Sequence, residues 1–310
     1  MSEKKRVRRK NKHHHHAVNE KNLLVATFLN LVISVVEIAG GLLSGSLALL
    51  SDALHNLSDT FATFIAYLAT IIGKREANQK KTFGYKRMEI LAALINAVIL
   101  IVMSVFLIKE AWHRWQNPAP INSMIMLVVG MIGLLANLYA VLILRNDASK
   151  SINVKAAYIH LIGDSLSSVV VIIGAVMIQV FQISWIDPII TVIISIYIIR
   201  SGFIILKDSV SILMQSAPDH LDLSLIKSRV EQEPEVLNIH HIHAWMLTDQ
   251  EVHLEAHVEL KNDLQLSQVK QVQDELERCL HLEFKIVHIT LQFEFNTNHA
   301  PSLIHTNQGR

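Results

Sequence analysis

The chain has 310 residues, 51% of them hydrophobic and 18% charged, and its 28 basic and 27 acidic side chains leave a net charge of +1. The single cysteine, Cys279, excludes an intrachain disulfide framework and metal sites built from several thiolates. This apolar excess beside polar stretches predicts a membrane part joined to a polar part. The near-neutral total says nothing about nucleic acid, which only the distribution of charge can address.

The chain opens on a basic, histidine-containing segment, residues 1–21, with Lys4-Lys5-Arg6-Val7-Arg8-Arg9-Lys10 and the run His13–His16. The histidine run reads either as a metal-collecting segment, as a solvated low-complexity tail or as part of a tag. The first apolar run has no small-residue cleavage site, so no cleavable signal peptide is expected. Six stretches then supply the ~20 mostly apolar residues that a membrane crossing needs. They are Leu23–Leu43, Leu47–Gly73, Met88–Trp112, Ile121–Leu144, Val154–Phe181 and Pro188–Leu206. Residues 22–207 are thus expected to form an all-α bundle of six transmembrane helices. The second and fifth stretches are the least apolar, as spans facing a bundle interior are.

Basic residues gather between spans two and three (Lys74, Arg75, Lys80, Lys81, Lys86, Arg87) and between spans four and five (Arg145, Lys150, Lys155). The segments after spans one and five hold none. An excess of lysine and arginine marks the cytoplasmic side, so both termini of this integral plasma- or inner-membrane protein are expected in the cytoplasm. The basic runs read as topogenic signals and lipid-headgroup contacts, and no nucleic-acid partner is expected.

Residues 208–296 change character. Asp222–Gln232 reads as a short helix, Val236–Leu247 and Val252–Leu260 as strands about a Thr248-Asp249-Gln250 turn, Leu264–Leu280 as a helix and Ile286–Phe295 as a third strand. In the second strand Val252, Leu254, Ala256, Val258 and Leu260 share one face, and His253, Glu255, His257 and Glu259 the other. The order αββαβ predicts a small α+β, ferredoxin-like cytoplasmic domain. Residues 297–310 are polar and expected to be disordered.

A histidine and an aspartate four residues apart occur in span two, His55 and Asp59, and again in span five, His160 and Asp164. Ionisable groups inside a membrane are costly and persist where they pair or bind something. Residues i and i+4 share a helix face, so two such helices bring two imidazoles and two carboxylates to one point. That is a complete tetrahedral set for a divalent metal, best suited to zinc. The alternative is an interhelical hydrogen-bond network without metal. Two carboxylates are neutralised by one divalent cation or by two protons on the imidazoles, and ligands shed protons when metal binds. The site therefore exchanges protons for metal. Four protein ligands leave no open position for a water, which argues against an enzyme.

The run Gly40-Gly41-Leu42-Leu43-Ser44-Gly45-Ser46-Leu47-Ala48-Leu49-Leu50-Ser51-Asp52-Ala53-Leu54-His55-Asn56-Leu57-Ser58-Asp59 resembles the signature of the cation diffusion facilitators. So do Phe83-Gly84-Tyr85-Lys86-Arg87-Met88-Glu89, the His160–Asp164 segment and the tail run Ile239-His240-His241-Ile242-His243-Ala244-Trp245. The resemblance implies a homodimer in the lipid bilayer, each subunit with six spans and a cytoplasmic metallochaperone-like domain, expelling divalent metal against protons by alternating access. It places the transport site at His55, Asp59, His160 and Asp164. A histidine at position 55 goes with zinc preference over cadmium, leaving cadmium, cobalt and nickel as secondary ions.

The resemblance also implies a tail zinc site at His240, His257 and His288 with Glu294 as acidic partner, of structural or regulatory use. Lys270 and Thr290 replace further ligands found in relatives, so a two-metal cluster is not expected. Asn78, Lys81 and Tyr85 replace the aspartate and two histidines of a loop site in some relatives, and that site is expected to be absent. His241, His243, His253 and His281 read as exposed residues. Glu37 reads as a packing contact, Asp52 as an ion guide or a structural hydrogen bond, and Asp187-Pro188 as the capped start of span six. Two rivals, a metal sensor anchored by its spans and a membrane metalloenzyme, leave the duplicated ligands or the closed coordination set unexplained.

Overall fold

The computed structural model describes residues 20–73, 75, 77–145, 152–297 and 303. Residues 1–19 with His13–His16, Lys74, Lys150 and most of the C-terminal tail lie outside the described residues. Six long helices come first: α1 Glu20–Ser44, α2 Leu47–Gly73, α3 Met88–Gln116, α4 Ser123–Leu144, α5 Ile152–Phe181 and α6 Ile186–Leu213. Then follow α7 Leu223–Val230, β1 Val236–Met246, β2 Val252–Leu260, α8 Leu266–Phe284 and β3 His288–Phe295. The final long helix runs seven residues past the expected end at Leu206, and α8 four past Leu280.

Among the described residues five helices are long and apolar enough to cross a membrane: Val25–Ser44, Met88–Gln116, Ser123–Leu144, Ala157–Phe181 and Ile186–Leu213. The sequence predicts six. The helix outside this set is α2, whose apolar character is diluted by Ser51, Asp52, His55, Asn56, Ser58, Asp59 and Thr60. Large apolar side chains stand exposed on the outer faces, among them Phe28, Phe106, Leu135, Ile193 and Phe203. Such faces suit hydrocarbon, and helices with satisfied backbones are what a bilayer admits. The protein is a helical membrane bundle with a C-terminal domain built on a small sheet.

The described residues fall into two compact units, one from Met1–Phe61 with Leu100–Arg200 and one from Ala62–Ile99 with Ser201–Arg310. In the first, α4 packs against both α1 and α5. Glycines permit the close approaches: a Cβ at Gly40 would lie 2.7 Å from Val129, and one at Gly174 2.4 Å from Ile190. The start of α2 is held by Asp187 of α6, which accepts from the backbone N–H of Leu47 (2.8 Å) and Ala48 (3.2 Å) and from the Ser46 hydroxyl. Asp187, expected to open its own helix, lies in its first turn and caps α2 instead.

In the second unit, β1 and β2 pair antiparallel and β2 and β3 parallel, in the order β1-β2-β3, with α8 crossing between the parallel strands. The apolar face of β2 lies in the core with Ile226, Val230, Ile239, Leu276 and Leu280. Asp222 caps α7 by accepting from Ser224 and Leu225 (2.8 and 3.3 Å). In β1 the register shifts between His240 and His243, where His241 adopts φ 53°. This bulge re-aims the histidines around it.

Candidate metal centres

The two His/Asp pairs meet. In α2, His55 Nδ1 lies 3.4 Å from Asp59 Oδ2, and in α5, His160 Nε2 lies 3.6 Å from Asp164 Oδ2. Between the helices, His160 Nε2 is 3.1 Å from Asp59 Oδ2 and His55 Nε2 is 3.9 Å from Asp164 Oδ1. Donors bound tetrahedrally to zinc at ~2.0–2.1 Å stand ~3.3 Å apart. His160 Nε2 lies near that spacing from both aspartates, whereas His55 turns Nδ1 to Asp59 and Nε2 to Asp164, of which one zinc would take only one. Donor atoms of His55, Asp59 and Asp164 stand within 4.8 Å of one another, a group that does not include His160. The imidazoles meet edge to face, centroids 5.9 Å apart. The side chains of Asp164 and His55 are 2% and 10% exposed, those of Asp59 and His160 22% and 43%. One half of the group is sealed and the other open.

Asp52, a turn before His55, is buried and bonded to Ser167 and Ser168 of α5. Of its two expected uses the geometry displays the hydrogen bond. Sequence reading missed these two serines, and also missed Asn56, which is fully buried and donates to Glu37 Oε2 at 3.0 Å. A polar residue between His55 and Asp59 in an apolar stretch was the available signal.

In the sheet, His257 Nδ1 lies 2.7 Å from Glu294 Oε1, and His240 Nε2 lies 3.6 Å from Glu294 Oε2. Donor atoms of the three side chains stand within 4.8 Å of one another. Asn238 donates its amide N–H to Glu259 (2.6 Å), so its Oδ1 accepts from His240 Nδ1 (3.0 Å). The proton is thereby fixed on Nδ1 and the Nε2 lone pair freed toward Glu294, an orientation that favours a metal ligand. The donor set suits zinc.

His288 does not join this group. Its register partner is His253, four residues along β2 from His257, or ~13 Å at the rise of a strand. The rings of His253 and His288 lie 4.9 Å apart, and Trp245 and Phe83 also pack on His253. His253, expected to be exposed, is 4% exposed. Burial and the neighbouring His288 ring hold its imidazole below the usual histidine range.

At the positions of the missing loop ligands, Asn78 Oδ1 accepts from the backbone N–H of Lys80 and Lys81 (3.0 Å each), and the Lys81 ammonium sits 4.1 Å above the Tyr85 ring. Lys270 pairs with Asp274 at 2.6 Å.

Comparison with known proteins agrees with this architecture. Residues 23–214 match the cation efflux transmembrane domain and residues 218–295 the cytoplasmic domain of cation efflux proteins. The chain belongs to the cation diffusion facilitators. Among similar facilitators is the metal cation efflux system protein CzcD of Cupriavidus metallidurans, 39% identical over 91% of this chain and 89% of that protein. The zinc transporter ZitB of Escherichia coli is 37% identical over 94% of this chain and 92% of its own length. A cadmium, cobalt and zinc/H(+)-K(+) antiporter of Bacillus subtilis is 37% identical over 92% of each chain.

Proposed function

We propose that this facilitator is a transporter that exports zinc, with cadmium, cobalt and nickel as secondary cargo, in exchange for protons. His55, Asp59, His160 and Asp164 form the transport site. The observation that carries this reading is the meeting of the two i,i+4 pairs, with donors of α2 and α5 3.1–3.9 Å apart. Zinc, as substrate, replaces the protons on the four side chains, and protons arriving from the far side release it. The helices alternate between exposing the site inward and outward.

In this reading α2 is the sixth span. At 27 residues it is ~40 Å long, enough to cross, and its polar face turns to the bundle interior. Residues 1–21 form a cytoplasmic tail, 22–207 the transport domain, 208–296 a cytoplasmic domain of ferredoxin-like kind, and 297–310 a terminal extension. Both termini are cytoplasmic in the plasma or inner membrane. The more exposed pair, Asp59 and His160, then lies toward the helix ends that carry the basic loops, an inward-facing arrangement. The cytoplasmic domain joins two protomers, and His240, His257 and Glu294 hold one zinc that stabilises or regulates the dimer.

The test is zinc flux in proteoliposomes with and without a pH gradient. Wild type is expected to move zinc and protons in opposite directions, and Asp59→Ala and Asp164→Ala to abolish both fluxes. Flux persisting in both variants would remove the assigned site.

A further inference from the structure

Among the buried acids outside the metal quartet, Glu37 has no part in the exchange described above. Glu37 of α1 is 0% exposed, and so is its partner Asn56 of α2. Glu37 Oε2 accepts from Asn56 Nδ2 at 3.0 Å. Two turns earlier on α1, Asn30 Nδ2 donates to the backbone carbonyl of Asn56 at 3.5 Å, and Ser34 donates to the carbonyl of Asn30 at 2.7 Å. A polar stripe on α1 thus grips α2 at a single residue, by both its side chain and its main chain. That residue directly follows His55.

Across α1, the other Glu37 oxygen, Oε1, accepts no hydrogen bond among the described residues. It is packed against α4 at Gly133, where an added Cβ would lie 2.2 Å from Oε1 and 3.3 Å from Cδ. A side chain at position 133 would overlap the carboxyl and force it or α4 to shift. An unpartnered buried oxygen is unfavourable, and here it sits on the same carboxyl whose other oxygen holds Asn56.

The grip acts on rotation. Side-chain donors stand about 5–6 Å from a helix axis, so turning α2 by about 20° would move His55 and Asp59 by about 2 Å. That is as long as a zinc–ligand bond. Asn56 projects about 100° around the helix from His55, so its bonds to α1 resist such a turn.

We propose that Glu37 is a positioning residue for the metal quartet: through Asn56 it fixes the rotation of α2, and Gly133 provides the clearance that lets it do so. The proposal rests on the reading of the quartet as the transport site.

The experiment measures zinc flux at varied zinc in proteoliposomes, together with equilibrium zinc binding to the detergent-solubilised full chain. Flux is measured in the otherwise unaltered chain, and binding in a His257→Ala background, which removes the tail site from the binding signal. Loss of an outer partner that orients ligands commonly costs 10–100-fold in metal affinity. Glu37→Ala, Asn56→Ala and Gly133→Ala are each expected to raise KM and Kd about tenfold or more, with the maximal rate changed far less. Glu37→Ala with Asn56→Ala should cost no more than either alone, because both break one contact. Glu37→Gln, which keeps the acceptor for Asn56 Nδ2, should restore affinity to within about threefold of wild type.

Unchanged KM and Kd in Glu37→Ala would overturn the proposal. So would Glu37→Gln failing as badly as Glu37→Ala, since the charge or a proton of Glu37 would then be the requirement. If the parent chain binds zinc but moves none, the transport reading fails, and the Kd values of the variants still decide the positioning role.

Discussion

The Asp187 carboxylate stands 2.8 Å from the backbone nitrogen of Leu47 and also accepts from Ala48 and Ser46. A residue in the first turn of α6 thereby satisfies the orphan N–H groups at the start of α2. Removing a helix cap costs roughly 0.5–2 kcal/mol, and buried donors left unpaired add to it. Asp187→Ala is expected to lose about 2 kcal/mol of stability, seen as a lower midpoint in thermal unfolding in detergent. Asp187→Asn should recover part of the loss, since its amide oxygen still accepts. An unchanged midpoint in Asp187→Ala would show that water replaces the cap.

His55 supplies one of two nitrogens in the quartet. Exchanging it for an oxygen donor in His55→Asp is expected to shift transport from zinc toward cadmium. A shift on the order of tenfold corresponds to ~1.4 kcal/mol of differential binding. Competition between the two ions in the flux assay measures it, and an unaltered ratio would assign selectivity elsewhere.

The tail site separates two histidines that the sequence groups together. His257→Ala should remove one zinc per protomer from the purified full chain, counted by elemental analysis. His288→Ala should leave that zinc bound, because His288 pairs with His253 instead.

His253 is held below the usual histidine range by burial and by His288. A histidine whose folded pKa is depressed favours the unfolded state once protons become available. Its stabilising contribution is present above the unfolded value near ~6.5 and is lost as pH falls through the lower folded value. Unfolding followed through Trp245, whose ring lies 5.3 Å from that of His253, should show stability falling from pH 7 toward pH 5. His253→Gln should flatten that slope.

The long helices were legible because hydrophobic runs set their length, and α2 was placed from Leu47 to Gly73 as observed. The quartet was legible because the i,i+4 spacing fixes a shared face within each helix, whatever the packing between helices. Register across a sheet has no such local signal. Nothing in the spacing of His257 and His288 says that β3 lies parallel to β2 with His288 opposite His253. The same limit hid Asp187, Asn56 and Glu37, whose partners lie 19 to 141 residues away. The burial of His253 was also out of reach, because strand alternation places it on the outer face of β2, where Phe83, Trp245 and His288 pack on it.

With the quartet as the transport site proposed above, the unequal exposure of its four side chains has a kinetic consequence. Side chains of His160 and Asp59, 43% and 22% exposed, can be met by an ion that still carries most of its water. Those of His55 and Asp164, 10% and 2% exposed, can be reached only after that water is gone. Dehydration of a small divalent cation is thereby divided into two steps, each replacing lost waters with two protein donors. On that reading the barrier to loading becomes two smaller ones, and burial sets the order in which the side chains engage the ion.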